Sequence, residues 1–239
     1  SIKEIKIKSI DNIFITTKIT SNIKNIFTQV ERFVSKKTLI ITPCTSLPFW
    51  WYLGLKKKYH NNFERKLNSL FLRNIKRKNL VGMTMWLSGK IHSPGNIHIS
   101  HIQRGFPIKE VFKEKKLLVA RLRKDIKKNC ISPNTKNIFF EIFIKSLNSL
   151  AFNLIALKYK QNNYYLKKNF KAKSQVLKIL TEGDNILKNF NFKIYQKPRN
   201  RISQTLKSEN HTMSMLFAYK NNKEIEIREL WESFNSMLK

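Results

Sequence analysis

Apolar residues alternate with polar ones in the first part of the chain, and this pattern predicts short strands with an amphipathic helix between them. The isoleucine pairs Ile5/Ile7 and Ile13/Ile15 indicate strands, and apolar side chains recur at helical spacing through residues 23–34. Residues 38–42 predict a buried strand. A turn containing proline follows, and then an aromatic segment, residues 49–52, that we expect in the core rather than stacked on bases.

The middle of the chain shows helical periods separated by turn signals. Residues 59–77 predict a helix, residues 80–87 a strand, and Pro94-Gly95 a turn. Residues 108–128 predict an amphipathic helix with one apolar stripe and a basic outer face. The polar turn cluster at residues 132–135 is the best internal boundary.

Beyond that boundary the pattern predicts strands and helices in alternation. We expect strands at 138–145, 190–195 and 213–219, helices at 147–166 and 225–238, and a shorter helical stripe within 161–191. Residues 197–207 have no apolar face and predict a basic loop. In the last helix Leu230, Trp231 and Phe234 are expected to face inward.

Charge changes this picture more than any other property of the sequence. The 239 residues contain 47 Lys and Arg against 15 Asp and Glu, a formal net charge of +32. Such an excess predicts a polyanionic partner, because self-repulsion opposes compact folding. With only two cysteines the chain does not form a disulfide framework.

The sequence contains no recognised catalytic motif. Phosphate-binding and nucleotide-binding glycine motifs and the GxSxG elbow are absent. His92, His98 and His101 have no nearby Cys or carboxylate to complete a metal site. We therefore expect no cofactor, no metal, no small-molecule substrate and no enzymatic activity.

Residues 138–239 resemble small-subunit ribosomal protein family ten in its organellar form. Lys145, Ser146, Leu147 and Asn148 lie on the motif that ends the first strand of that family. Pro198, Thr205 and His211 keep the spacings of its long basic loop. The resemblance implies a ferredoxin-like fold with an insertion at about residues 161–189.

Residues 80–91 are similar to a strand of small-subunit ribosomal protein family three, through Gly82, Gly89, Lys90 and Ile91. The expected fold class is therefore α+β. It comprises a C-terminal ferredoxin-like domain with a long basic loop over 138–239 and a basic N-terminal α+β extension over 1–137.

Both resemblances imply a structural constituent of the small subunit of a mitochondrial ribosome, located in the organellar matrix. Its partners would be ribosomal RNA and neighbouring ribosomal proteins of the subunit head. The expected RNA-binding residues are Lys90, Arg104, Lys116, Arg121, Arg123, Lys127, Lys145, Lys197, Arg199, Arg201, Lys207 and His211.

Two other functions share some of these features. An organellar splicing or processing factor would also be basic, although no reverse-transcriptase or endonuclease motif is present. A membrane-associated assembly protein would use residues 38–55, an uncharged run of membrane-spanning length, as its anchor. Prolines and polar side chains within that run argue against a bilayer span. The first ten residues show no targeting-peptide pattern.

Overall fold

The structure, a computed structural model, describes residues 10–17, 22–43, 45–56, 73–207 and 211–235, with the backbone alone at 88, 90–92, 100 and 101. The chain forms two compact units. Unit 1 comprises Ser1–Cys44, Pro48–Leu87 and Ile102–Ile142. Unit 2 comprises Thr45–Leu47, Ser88–His101 and Phe143–Lys239. The expected division between residues 137 and 138 stays a prediction.

Unit 1 is built on a sheet of four strands in the order β1-β2-β3-β6. The strands are β1 (Asn12–Phe14), β2 (Leu39–Ile41), β3 (Leu80–Met83) and β6 (Ile108–Glu110). β1, β2 and β3 are parallel, with Asn12 opposite Leu39 and Ile40 opposite Leu80, and β6 is antiparallel to β3. Parallel strands need crossover connections, and α1 (Ile23–Val30) lies in the first of them.

Both faces of the sheet are covered, so the central strand is apolar on both sides. Leu39 and Ile41 belong to a cluster that includes Val119 and Leu122 of α2 (Lys116–Lys127). Ile40 belongs to the opposite cluster, which contains Phe27 and Val30 of α1. This helix–sheet–helix layering explains why β2 is a continuous apolar run rather than an alternating one.

The amino-terminal edge of the sheet is closed by the side chain of Asn79, which is fully buried. Its Nδ2 donates to the carbonyl oxygens of Ser35 (3.1 Å) and Thr38 (2.8 Å), and its Oδ1 accepts from the Lys76 amide (2.9 Å). One amide side chain thereby joins the segment that enters β2 to the segment that enters β3.

β4 (Trp86–Ser93) and β5 (Asn96–Gly105) form a separate sheet of two strands. The predicted turn at Pro94-Gly95 joins them, and Gly95 has a φ of 79°. Gly105 at the end of β5 also has a positive φ, and a Cβ there would overlap the carbonyl of Ile131. The sequence pattern missed most of this hairpin.

The described part of unit 2 from residue 143 onward is helical. The helices are α3 (Ile138–Tyr159), which begins in unit 1, α4 (Asn163–Lys168), α5 (Phe170–Asn189), α6 (Pro198–Thr205), α7 (Ser214–Lys220) and α8 (Ile227–Asn235). Asparagine side chains cap several of them, since Asn162 accepts from the Tyr165 amide and Asn169 from the Ala172 amide.

The prediction of a strand at residues 138–145 is wrong, because α3 runs without a break through this segment. Asn137 starts it by accepting hydrogen bonds from the Phe139 and Phe140 amides at 3.0 and 3.2 Å. A helix that is apolar on nearly all sides belongs in a core. α3 is long and apolar enough to cross a membrane, yet 78% of its most apolar window is buried inside the protein.

The ferredoxin-like fold class is also wrong. The expected basic loop at 197–207 contains α6, which begins at Pro198, and the expected strand at 213–219 is α7. Residues 190–195 form a turn and irregular backbone rather than a strand. Without these strands the C-terminal region contains no sheet for a ferredoxin-like fold in the residues described.

Other predictions are confirmed at the level of elements. β1, α1 and β2 lie where the pattern placed them, and Trp50, Trp51 and Tyr52 are buried.

Only the second part of the predicted helix at 108–128 is helical, as α2. Residues 57–72, which contain most of the predicted helix at 59–77, lie outside the described residues. Leu230 and Phe234 of α8 are buried, but Trp231 is 52% exposed.

The Asn79→Ala variant should lose about 2–4 kcal/mol of unfolding free energy, because three backbone groups at the amino-terminal edge lose their partner. Denaturant titration of the purified chain measures this loss. The exposed Asn129→Ala variant is the matched control and should stay within about 0.5 kcal/mol of wild type. Equal stability of the two variants would contradict the role assigned to Asn79.

Candidate functional site

Threonines follow all three parallel strands at the carboxyl-terminal edge of the sheet in unit 1. Thr16 and Thr17 come after β1, Thr42 after β2 and Thr84 after β3. Thr42 is 5% exposed, and its Oγ1 accepts a hydrogen bond from Trp50 Nε1 at 2.9 Å. In open parallel sheets, ligands bind outside the carboxyl ends of the strands. This edge is therefore a candidate ligand site.

Thr84 differs from the other polar groups near the sheet. It is 1% exposed, its amide donates to the Pro107 carbonyl at 3.1 Å, and its Oγ1 has no hydrogen-bond partner in the described structure. At the opposite edge, by contrast, Thr38 Oγ1 donates to the Ile10 carbonyl at 2.7 Å and Asn79 is fully bonded. A buried hydroxyl without a partner costs stability, which points to a ligand at the carboxyl-terminal edge.

A second candidate site lies on α3 in unit 2. Lys145, Asn148, Ser149 and Asn153 are polar residues in a helix that is otherwise largely apolar, and the first three share one face because they are spaced by three and four. Asn148 is 7% exposed, and its Oδ1 has no hydrogen-bond partner among the residues described. We call these four residues the α3 polar stripe.

The far end of the stripe has a structural role. Asn153 donates from Nδ2 to the Ser149 carbonyl at 2.8 Å, and its Oδ1 accepts from the Met215 amide at 2.9 Å. It thereby caps the first turn of α7 from a neighbouring helix. The polar groups of Asn153 therefore serve the packing of α3 against α7.

Lys145 is desolvated by the protein around it. Its side chain retains only partial solvent access, and burial lowers the pKa of its ammonium from 10.5 to about 8. A lysine titrating near neutral pH can donate a proton or bind a developing negative charge. The helical spacing of these polar residues did not indicate the lowered pKa of Lys145, because a sequence does not show how deeply a polar helix face is buried.

Arg201 and Asp184 form a buried ion pair between α6 and α5. Arg201 is 1% and Asp184 3% exposed, and Nη2 lies 2.6 Å from Oδ1. Burial raises the pKa of Asp184 and lowers that of Arg201, although each charge opposes the shift of the other. Nε and Nη1 of Arg201 have no partner within the described ranges. Arg201 is thus an internal cation and not a surface contact for RNA.

Arg104 is exposed but forms an ion pair with a buried carboxylate. Its Nη1 and Nη2 each lie 2.9 Å from a different oxygen of Glu141, in a bidentate arrangement. Glu141, in the first turn of α3, is 7% exposed. The pair fixes the end of β5 to the start of α3 within unit 1.

The remaining predicted RNA-binding residues are dispersed along the chain. Lys116, Arg121 and Lys127 are exposed on α2 and Arg123 is half-buried there; Lys197, Arg199 and Lys207 are exposed at or near α6. His211 is half-buried, and its carbonyl accepts from the Asn163 amide at 3.1 Å. Lys90 lies on β4, where its side chain is not described. Lys145 and Arg201 thus differ from the rest in being packed against protein, whereas Arg104 is exposed and paired with Glu141.

No protein-family model and no curated protein sequence matches the chain. Solved structures do match. A Ralstonia solanacearum MolK2 protein, provisionally named a ketopantoate reductase, aligns with a TM-score of 0.79 at 14% identity over 96% of this chain and 70% of its own. A 2-dehydropantoate 2-reductase from Geobacter metallireducens GS-15 gives 0.74 at 15% identity, over 96% and 72%.

D-mandelate dehydrogenase, solved with NADH and anilino(oxo)acetate, aligns with a TM-score of 0.72 at 14% identity over 98% of this chain and 72% of its own. At these identities the likeness shows the fold alone. The chain has a Rossmann-like parallel sheet followed by a helical region, as these reductases have.

This likeness corrects the expectations drawn from charge and from the ribosomal resemblance. The neighbours are oxidoreductases, so membership of ribosomal families ten or three, a structural role in a mitochondrial ribosome and the associated location are contradicted. The expectation of a non-enzyme with rRNA partners and no small-molecule substrate is contradicted on the same ground. Charge misled because a net charge by itself does not identify a function.

A nicotinamide dinucleotide requires a close backbone approach to its diphosphate, usually at glycines. The glycines of this chain serve other contacts. A Cβ at Gly54, Gly82 or Gly183 would overlap Phe139, Ile138 or Leu147, all side chains of α3. Gly89, Gly95 and Gly105 belong to the hairpin. The described residues therefore do not form a diphosphate cradle, although the threonine edge offers hydroxyl groups. No group of three metal-ligating side chains occurs among them either.

The Thr84→Val variant should fold with stability within about 1 kcal/mol of wild type, since it removes a buried hydroxyl that has no partner. Thr42→Val is the matched control and should lose about 1–3 kcal/mol, because Trp50 Nε1 then loses its acceptor. Denaturant titration compares the two variants. A larger loss for Thr84→Val than for Thr42→Val would show that Thr84 has a structural partner.

The Asp184→Asn variant should lose about 3–5 kcal/mol, since it leaves the Arg201 guanidinium buried without a countercharge. The double variant Asp184→Leu/Arg201→Met removes both charges and should recover most of that loss. Thermal and denaturant unfolding of both variants measure the difference. Equal destabilisation by the single and double changes would contradict a buried ion pair.

Proposed function

We propose that the protein is an oxidoreductase that reduces a small 2-oxo acid to the corresponding 2-hydroxy acid. The names 2-dehydropantoate 2-reductase and D-mandelate dehydrogenase both describe chemistry between a 2-oxo and a 2-hydroxy acid. The shared fold supports the same class here. The observation that carries the proposal is Lys145, a desolvated lysine one helical turn from the unbonded Oδ1 of Asn148.

Reduction of a ketone adds a hydride to carbon and a proton to oxygen. As the hydride arrives, negative charge develops on the carbonyl oxygen, and a nearby ammonium stabilises it and then supplies the proton. Lys145 is suited to this role because its lowered pKa makes proton release easy near neutral pH. Asn148 Oδ1 is an acceptor suited to the hydroxyl of the product.

One neighbour is solved with NADH, so a nicotinamide dinucleotide is the hydride donor to test. Because the described glycines form no diphosphate cradle, we assign only the proton-transfer half of the reaction to residues of this chain. The experiment is therefore done with both NADH and NADPH. The full chain is mixed with a panel of 2-oxo acids, and dinucleotide oxidation is followed by absorbance from pH 6 to 9.

We expect turnover to fall as pH rises through about 8, because Lys145 then loses the proton that it donates. Lys145→Met should lower kcat by about 100-fold or more, as loss of a general acid usually does. Lys145→Arg keeps the positive charge, and its turnover should no longer fall as pH rises through about 8. Lys158→Met, an exposed lysine on the same helix, is the matched control and should leave turnover unchanged. Absence of dinucleotide oxidation with every oxo acid would overturn the proposed function.

Unfolding free energy gives a second readout for Lys145. A lysine whose folded-state pKa lies below its unfolded value costs stability while charged, and that cost disappears as pH rises from about 8 towards 10.5. Lys145→Met should therefore be more stable than wild type at pH 7, and the difference should shrink at high pH. A variant that is both inactive and less stable would indicate a structural role.

A further inference from the structure

Three segments meet at the amino-terminal edge of the sheet in unit 1, just before β2, β3 and α2 begin. The amide side chain described above joins residues 35–38 to residues 76–79. The ammonium of Lys115 donates to the carbonyl of Lys36, which holds residues 113–116 against the first segment. Hydrogen bonds therefore fix all three segments beside one another.

The three segments are strongly basic. Their twelve residues contain eight Lys and Arg and one acidic residue, Glu114. Six of the lysines are exposed, and none of the six forms an ion pair within the part of the chain that the structure describes. Together with the buried Lys115 they form what we call the amino-edge basic cluster: Lys36, Lys37, Lys76, Lys78, Lys113, Lys115 and Lys116.

Lys115 is the unusual member of this cluster, because it is only 4% exposed. A buried ammonium normally has a carboxylate partner. Lys115 has three N–H donors, yet its one hydrogen bond among the described residues goes to a neutral backbone carbonyl. Burial and the nearby charge of Lys78 lower its pKa, and Glu114 offsets this only in part. The cluster therefore lacks negative charge at its buried member.

The start of α2 adds to this positive potential. The helix begins directly after Lys115, without a side-chain cap and without an acidic residue in its first turn. The amino terminus of a helix carries partial positive charge, which favours an anion. The buried ammonium and the helix terminus thus call for a negative charge at the same place.

The arrangement of the lysines indicates which kind of anion fits. An extended acidic peptide places the carboxylates of one face about 6–7 Å apart, which suits cations in a row. These lysines instead come from three segments that converge on one contact, between Lys115 and Lys36. A short phosphate chain concentrates several negative charges in such a small region, and lysine ammonium groups bind phosphate as point charges.

We propose that the amino-edge basic cluster binds a polyphosphate group, either inorganic polyphosphate or the triphosphate of a nucleotide. Lys115 donates its two remaining N–H groups to phosphate oxygens, and the exposed lysines neutralise the outer charges. The site lies at the edge of the sheet opposite the threonines and does not depend on the proposed reaction.

The test measures binding to the full chain by isothermal titration calorimetry at pH 8. The probes are tripolyphosphate, ATP and a capped peptide of five glutamates, whose charge is close to that of tripolyphosphate. We expect tripolyphosphate to bind at least about tenfold more tightly than the peptide, because phosphate oxygens match the converging ammonium groups. Equal or tighter binding of the peptide would overturn the proposal. Binding of ATP as tight as that of tripolyphosphate would identify a nucleotide as the source, and binding of tripolyphosphate alone would identify the inorganic chain.

Two double variants locate the binding. Lys36→Gln/Lys78→Gln should weaken tripolyphosphate binding by about tenfold or more, since charge-assisted contacts are lost. Lys124→Gln/Lys127→Gln is the matched control, because it removes the same charge from exposed positions in the last turn of α2, and affinity should change less than about twofold. Equal weakening by the two double variants would overturn the assignment to the cluster.

A single variant tests the buried member. Lys115→Met should fold, because it removes a buried charge that has no countercharge, and it should also weaken tripolyphosphate binding about tenfold. Circular dichroism checks its folding. Unchanged affinity in the folded variant would contradict the role given to Lys115. If this variant does not fold, the exposed pair of substitutions still decides whether the cluster binds polyphosphate.

Discussion

Close packing around α3 is the constraint on which both units depend. In unit 1, Gly82 of β3 and Gly54 of the segment after β2 leave room for Ile138 and Phe139 at the start of the helix. In unit 2, Gly183 of α5 does the same for Leu147, and Phe143 packs edge-on against Phe234 of α8 at 5.1 Å. Half of the six glycines thus serve one helix. Small residues at these positions allow a bulky, apolar helix to be buried at close range.

The same packing explains the chemistry of the α3 polar stripe. A lysine on a solvent-facing helix keeps its hydration and a pKa near 10.5, whereas Lys145 lies in a helix that is mostly buried. The energy that burial takes from the charged form is the source of its acidity. Asn153, eight residues further along, has its hydrogen bonds satisfied by Ser149 and the first turn of α7. The burial of α3, its hydrogen bond to α7 and the lowered pKa of Lys145 therefore belong to one packed arrangement.

The part of the fold that sequence predicted is the part whose signal lies in a short stretch of chain. α1 shows a clear helical period, β2 is a short apolar run, and Trp50 and Trp51 are large enough that their burial was expected. α3 was misread because a run of Ile and Phe has the composition of a strand, and length alone separates the two. Asn137 was the missed signal, since an asparagine before an apolar run is a typical helix start. α6 was predicted as part of a basic loop and α7 as a strand, and the resemblance to ribosomal proteins agreed with both errors. Arg201 was assigned to RNA because sequence does not reveal that Asp184 lies against it in the interior.

The acidity of Lys145 has a consequence for covalent modification. At pH 7.4 roughly a fifth of a lysine with a pKa of about 8 is the neutral amine, against roughly one in a thousand for an ordinary lysine. The neutral amine is the nucleophile that attacks acyl phosphates, thioesters and isocyanates. Partial solvent access and a pKa of about 8 together make Lys145 more open to acylation than an ordinary surface lysine. Acylation there would remove the charge from the α3 polar stripe and place a bulky amide on a helix that is mostly buried.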